Sequence, residues 1–169
     1  MNLHVGSKLI KSLPMNRAEY NTYRGWKLPE DENGSDAGFL VEYLDGGQAN
    51  HKDHDGYISW SPEEVFKNAY QDVTQGVSFG SAIILLKLGC KVARKGWNGK
   101  GMWLILAPGS ENIKPVAGTP YSKAGLTEEI QILPHIDMFT VDSSGRRAML
   151  PGWLASQTDM LSNDWTLAE

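Results

Sequence analysis

Apolar residues in this chain come in short runs, and the period of each run assigns it a strand or a helix. Lys8 to Ser12 reads as a short extended segment that Pro14 breaks. In "NRAEY", Asn16 and Glu19 have capping-box spacing, which predicts a short helix ending near Gly25. After the acidic loop "LPEDENGSDAG", the segment "FLVEYL" alternates Phe39, Val41 and Tyr43 against Leu40, Glu42 and Leu44, the pattern of a strand with one buried face. "DGGQANHKDHDG" is turn chemistry and "YISW" is the returning strand, so the pair forms a hairpin with a long loop. In "SPEEVFKNAY", Ser61 stands as N-cap, Pro62 at the first helical position and Glu64 three beyond the cap.

A polar connector, "QDVTQG", precedes a second beginning at Ser78. Phe79, Ala82, Ile83 and Leu86 fall at helical spacing, Ser78 is placed to cap, and Gly89 stands where a left-handed terminating residue is wanted. "CKVARKGW" and "KGMWLIL" read as two strands joined at Asn98-Gly99, the pair that best tolerates a tight hairpin turn. Pro and Gly punctuate the stretch from Pro108 to Gly125, which reads as a lid or a poorly ordered loop. "IQIL" is a short strand, and "IDMFTV", "DSSG" and "RRAML" make another hairpin. The chain closes with a capped helical turn, Ser156 and Asp159 again at capping-box spacing, and a strand through Trp165. The fold class is therefore α+β: short helices packed on mainly antiparallel β-hairpins, in two small modules, 1–72 and 78–169.

Composition changes this picture little. A chain that is 41% hydrophobic and 21% charged is neither disordered nor fibrous. No run is long enough to cross a bilayer, and "MNLHVGSKLIK" has no apolar signal core, so no membrane role and a cytoplasmic location are expected. The single cysteine, Cys90, excludes an internal disulfide and a multi-cysteine zinc site, and following the helix-ending Gly89 it reads as a small core residue. A net charge of −4 argues against binding polymeric nucleic acid. Residues 1–78 carry 7 Lys+Arg against 12 Asp+Glu, while residues 79–169 carry 9 against 8, so an anion site belongs in the second half.

Several constellations carry candidate chemistry. In "KVARKGWNGKGMWLIL", Lys91, Arg94, Lys95 and Lys100 suit phosphates, Trp97 and Trp103 suit the face of a base, and Gly96, Gly99 and Gly101 allow close approach. The competing reading makes the lysines a solvated strand face and the tryptophans core. In "NHKDHDG", His51, Asp53, His54 and Asp55 form the densest group of metal-ligand types, yet a hairpin loop rarely supplies the second shell a metal site needs, so no metal or other cofactor is expected. His4 and His135 have no obvious acid partner, no Gly-x-Ser-x-Gly elbow occurs, and no catalytic residue is assigned. In "PGWLASQTDMLSNDW", Trp153 precedes a capped turn whose first N–H groups, around Gln157 and Thr158, suit an anion or a ribose oxygen, and Asp159 suits ligand hydroxyls or an amine. Alternatively, Ser156 and Asp159 merely cap each other while Trp153 and Trp165 are core.

Taken together, "ARKGWNGKGMWL" and "GWLASQTDMLSNDW", preceded by "SFGSAIILLKLGCKV", resemble the two ends of the phage Thoeris anti-defence family of the second type. The likeness covers roughly Phe79 to Leu167. It implies a non-enzymatic sponge that sequesters cyclic nucleotide immune signals: glycocyclic ADP-ribose of Thoeris and, in some members, cyclic dinucleotides of the related CBASS defence. It also implies a homotetramer with pockets between subunits, acting in the cytoplasm of the infected host. By resemblance, Trp97 and Trp153 would sandwich or flank a base, Asn98, Ser156, Thr158 and Asp159 would supply polar contacts, Arg94 the phosphate contact, and Met102 a soft wall. The long first module and the Pro108 to Gly125 loop depart from a minimal member. Two rivals stand beside the sponge: a metal-dependent hydrolase of the same messengers working through His51 to Asp55, and a protein-interaction module using the acidic first half.

Overall fold

Antiparallel pairing organises both units into which the chain divides, Met1–Gln71 and Asp72–Glu169. The computed structural model describes residues 2–3, 6, 8–97 and 101–168. In the first unit the elements run β1 (Ile10–Pro14), α1 (Arg17–Tyr23), β2 (Gly38–Tyr43), β3 (Tyr57–Pro62) and α2 (Glu63–Ala69). The capping box starts α1: Asn16 accepts from Glu19 N at 2.9 Å, and Glu19 accepts from Asn16 N at 2.8 Å. Strand β2 lies between its neighbours in the order β1-β2-β3, with Leu40 opposite Leu13 and Trp60. Leu40 packs with Ile58 and Tyr20 in a core flanked by Met15, Tyr23 and Trp60. The alternate face carries Phe39, stacked on Phe66 of α2 at 4.1 Å, so the two helices cover opposite faces of the sheet. Gly38 is required by this packing, because a Cβ there would lie 2.4 Å from the Trp60 ring.

Two expectations for this unit are corrected. The first strand runs past the expected Ser12 and includes Pro14, which occupies the last paired position of edge strand β1, opposite Phe39, where a missing N–H is tolerated. Ser61 does not cap α2, because Ser61 and Pro62 stay extended as partners of Phe39 and Gly38, and Glu63 N continues the pairing to Ala37 O at 3.0 Å. The helix then begins one residue later than its sequence suggests, without a side-chain cap.

The long β2–β3 loop is tied down by one carboxylate. Glu42 is buried, and its Oε1 accepts from Asp55 N and Gly56 N, both at 3.1 Å, while its Oε2 lies 3.2 Å from His54 Nδ1. The other nitrogen, Nε2, is 2.9 Å from the Tyr23 hydroxyl, and the Tyr23 ring stacks on His51 at 4.4 Å. Asn50 extends the edge of β3 by accepting from Ile58 N at 2.8 Å and donating to Ile58 O at 2.9 Å.

The second unit runs α3 (Phe79–Lys87), β4 (Val92–Arg94), β5 (Trp103–Ala107), β6 (Ser110–Ile113), α4 (Pro120–Lys123), β7 (Ile130–Ile132), β8 (His135–Val141), β9 (Arg147–Leu150), α5 (Gln157–Met160) and β10 (Trp165–Leu167). Its main sheet has the order β10-β4-β5-β8-β9, and β6 pairs with β7 alone. Ser78 caps α3 by accepting from Ser81 N, and Gly89 follows the helix with φ +82°, as the spacing predicts. Ala82, Leu85 and Leu86 turn inward to a core of Val77, Val92, Leu104 and Trp165. Cys90 is half-buried. The stretch expected to be a lid or poorly ordered instead contains β6 and α4, because its prolines and glycines serve as turn residues between short elements. The Asn98-Gly99 turn lies outside the described residues. Together the elements make an α+β protein.

Hydrogen bonds from His54, foremost, and from Gly56 hold the Glu42 carboxyl below its ordinary value. A carboxylate depressed in the folded state contributes stability that is complete above its unfolded pKa and lost as pH falls through its folded pKa. Glu42→Gln should therefore lower the melting temperature at pH 7, and the gap from wild type should close as the pH drops below about 4. Thermal melts of the full chain across that range check this; an equal gap at every pH would remove the charge as the cause.

Candidate functional site

Strands β4 and β10 are where the two tryptophan-bearing segments meet. Their register sets Trp165 opposite Arg94 and Thr166 opposite Ala93. On the other side, Val77 and Trp165 exchange backbone hydrogen bonds, N to O, at 2.8 and 3.2 Å. Residues leaving β4 and residues entering β10 are thus neighbours by sheet geometry.

Asp159 stands at the centre. The capping box of α5 forms as expected: Ser156 Oγ accepts from Asp159 N at 3.1 Å, and Asp159 Oδ2 accepts from Ser156 N at 3.0 Å and Ser156 Oγ at 2.6 Å. Oδ1 faces the other segment and accepts from Arg94 Nη1 at 2.8 Å and from Trp97 Nε1 at 3.1 Å. The Asp159 carbonyl accepts from Trp165 Nε1 at 3.0 Å. Burial alone would push this carboxyl up; hydrogen bonds from Ser156, Arg94 and Trp97 outweigh burial and hold it at about 2.

A second carboxylate, Asp164, braces the same strand end. Its Oδ1 accepts from Arg94 Nε at 2.8 Å, its Oδ2 from Gly96 N at 2.8 Å and Arg94 Nη2 at 3.4 Å, and its carbonyl from Lys95 N at 3.1 Å. The bonds from Arg94, ahead of that from Gly96, hold Asp164 below its ordinary value, and the two carboxylates raise Arg94 above its own, Asp164 first. Lys95 donates to the carbonyls of Thr74 and Gln75 at 3.1 and 2.8 Å, and the Lys91 ammonium lies 5.5 Å from the centre of the Trp103 ring. The described cations of the basic segment are therefore engaged within the chain, and Lys100 lies outside the described residues.

The aromatic residues form one cluster. Trp165 is fully buried, with Phe79, Trp97 and Trp153 around it at centroid distances of 5.5, 5.4 and 6.1 Å. Trp97 and Trp153 are half-buried, 6.1 Å apart and inclined at 65°. That inclination is an angled wall, not the parallel slot that would sandwich a flat ring. Trp103 stacks instead on Phe139 at 4.7 Å.

Of the predicted site residues, the fold brings together Arg94, Trp97, Trp153, Ser156 and Asp159. Thr158 is exposed on α5 and Met102 half-buried just before β5, and neither side chain joins the hydrogen-bonded cluster. Asn98 lies outside the described residues. Asp164 and Phe79 were missed as site residues. The signal for Asp164 was an acid beside Trp165 in the strand that returns to a strand ending in arginine, but the pairing of those strands is not visible in sequence. In the first unit, both His54 nitrogens have partners, and among the described residues no group of three or more His, Cys, Asp or Glu is placed to hold a metal ion. A groove of about 600 Å³ in that unit runs along Pro14, Met15, Asn16, Ala18, Glu19, Thr22 and Tyr23, and it contains none of the predicted residues.

Fold and site together define the second unit as a small antiparallel α+β domain, closed at one sheet edge by a tryptophan cluster that an arginine and two aspartates lock. That domain matches the model of a family described as Thoeris anti-defense 2-like over residues 77–168, and the chain belongs to this family. It is similar to Thoeris anti-defense 2 of Bacillus phage SP01, 33% identical over 91 residues that make up 54% of this chain and 93% of that protein. Among the described residues no helix is long and apolar enough to cross a membrane.

Because Asp159 answers four donors from two segments, Asp159→Ala should destabilise the second unit by on the order of 3 kcal/mol, the scale for removing one partner of a buried ion pair. Urea unfolding of wild type and variant measures it; a loss under about 0.5 kcal/mol, the range of ordinary surface substitutions, would deny Asp159 its central role.

Proposed function

We propose that the chain is a phage anti-defence protein that binds cyclic nucleotide immune signals and sequesters them without cleavage, in the cytoplasm of the infected host. The signals are glycocyclic ADP-ribose, cyclic dinucleotides, or both. Family membership over residues 77–168 supports the anti-defence role. The observation that carries the ligand reading is that the two resembling segments converge on Asp159, with the half-buried faces of Trp97 and Trp153 beside it.

In this reading each tryptophan offers one face to a base, an interaction of roughly 1–3 kcal/mol per base. By the resemblance Ser156, Thr158 and Asn98 supply the polar contacts and Met102 a soft wall. Asp159 acts by fixing Trp97 and Ser156, since its own oxygens are filled. Among the described residues two Arg94 N–H groups have no partner and are open to a phosphate, although the side chain is only 11% exposed. A sponge needs nanomolar affinity, about −12 kcal/mol. An angled wall on one chain does not reach that alone, which favours a pocket completed by a second copy in a homo-oligomer, with a tetramer the expected form. The hydrolase alternative loses support from the first unit, where His54 is committed to Tyr23 and Glu42.

Isothermal titration of the full chain with glycocyclic ADP-ribose and a panel of cyclic dinucleotides, followed by mass analysis of ligand released by heating, tests the reading. Tight binding with the ligand recovered whole is expected. A linearised product would make the chain an enzyme, and no heat from folded protein with any of these ligands would end the sponge reading. Trp97→Ala and Trp153→Ala should each weaken binding more than about tenfold, with melting temperature followed alongside because Trp97 also donates to Asp159. Replacing His51 and His54 together should leave affinity unchanged.

A further inference from the structure

The two carboxylates of the cluster differ in what they have left to offer. Each carboxylate oxygen accepts about two hydrogen bonds. Asp159 is full: Ser156 supplies two donors to Oδ2, and Arg94 and Trp97 supply one each to Oδ1. Asp164 is not. Gly96 N and Arg94 Nη2 occupy its Oδ2, whereas among the described residues Oδ1 accepts from Arg94 Nε alone. Its side chain is 31% exposed, against 12% for Asp159.

Position and charge give that spare acceptor a direction. Asp164 is bonded to the backbone of Gly96, the residue before Trp97, and it shares Arg94 with Asp159, the carboxylate that holds the Trp97 indole. It is also held in place: a Cβ added at Gly96 would lie 2.8 Å from Asp164 Oδ2, and three hydrogen bonds from Arg94 and Gly96 fix the carboxylate before any ligand arrives. Two aspartates share one arginine here, so among the described residues one formal negative charge of the cluster has no ion-pair partner. Such a spot draws hydrogen-bond donors.

Resting on the reading of the chain as a cyclic nucleotide binder, we infer that Asp164 is a specificity-determining residue of that site: its Oδ1 accepts a hydrogen bond from a ligand N–H or O–H. The donor is an exocyclic base amine or a ribose hydroxyl, which present the same chemistry. A site that accepts from a ligand donor rejects analogues lacking it, because the charged acceptor is then left without its partner.

The test titrates the full wild-type chain with cyclic diadenylate, with its counterpart bearing hypoxanthine in place of adenine, and with its counterpart lacking free ribose hydroxyls. One of the two counterparts should bind at least about tenfold more weakly than the parent, the scale for losing a hydrogen bond to a charged group, and which one falls names the donor. Asp164→Asn should shrink that difference to within about threefold. If that variant does not fold, Asp164→Glu, which keeps the charge but displaces the oxygen, is read the same way. Parent and both counterparts binding wild type alike, or a variant that discriminates as wild type does, overturns the assignment while leaving the sponge standing. Absence of binding by all three overturns the assignment, and where glycocyclic ADP-ribose gives none either, the sponge falls with it.

Discussion

The second unit depends on one buried carboxylate. Asp159 is 9% exposed, and an ionised group so placed is costly unless its lone pairs are met. All four donors that meet them come from two stretches of chain more than fifty residues apart, Arg94 and Trp97 on one side and Ser156 on the other. The charge therefore converts a cost into a constraint: the end of β4 and the start of α5 lie together or the carboxylate is left unsatisfied. Trp165, buried and donating to the Asp159 carbonyl, ties the same point to the terminal strand. Glu42 plays a parallel part in the first unit, where its oxygens fasten the end of a long loop to the strand it left.

What could be read in the sequence was local. The boxes at Asn16 and Ser156 act across three residues, and the alternation of "FLVEYL" reports one face of one strand, so short-range physics decides them and the structure agrees. Ser61 shows where local reasoning fails. Its capping pattern is as good as that of Ser156, yet pairing with Gly38 keeps Pro62, the residue expected to open the helix, extended, because ladder hydrogen bonds formed across the sheet outweigh a cap that would save one N–H. The stretch from Pro108 to Gly125 misled for a related reason: turn residues announce changes of direction without saying whether short strands lie between them.

The cluster around Asp159 was legible in part of its membership and illegible in the duties of its atoms. Trp97, Trp153, Ser156, Asp159 and Arg94 could be named because unusual residue types sit in the two resembling segments. Their duties could not, because duties are set by which atoms meet across β4 and β10. Arg94 reads as a free phosphate ligand until its strand partner brings Asp164 to its Nε and α5 brings Asp159 to its Nη1. Asp164 escaped notice because an acid before a buried tryptophan looks like a turn residue until the arginine opposite is known.

That pattern of engagement bears on how such a domain can hold a ligand. Free side chains that close on a ligand lose rotamer entropy when they do so, about 0.5–1.5 kcal/mol each. Here Trp97 and Ser156 are already restrained through Asp159, and Arg94 through Asp159 and Asp164, so that loss is met during folding and not again on binding. A rigid cyclic ligand meeting a rigid wall likewise has little flexibility to lose. The same rigidity sets a limit, because rings inclined at 65° cannot adjust to clasp a flat ligand from both sides. Additional contact area must then come from a surface beyond this wall. In the proposed reading that surface is a second copy of the chain, which encloses the half-site without loosening the cluster that shapes it.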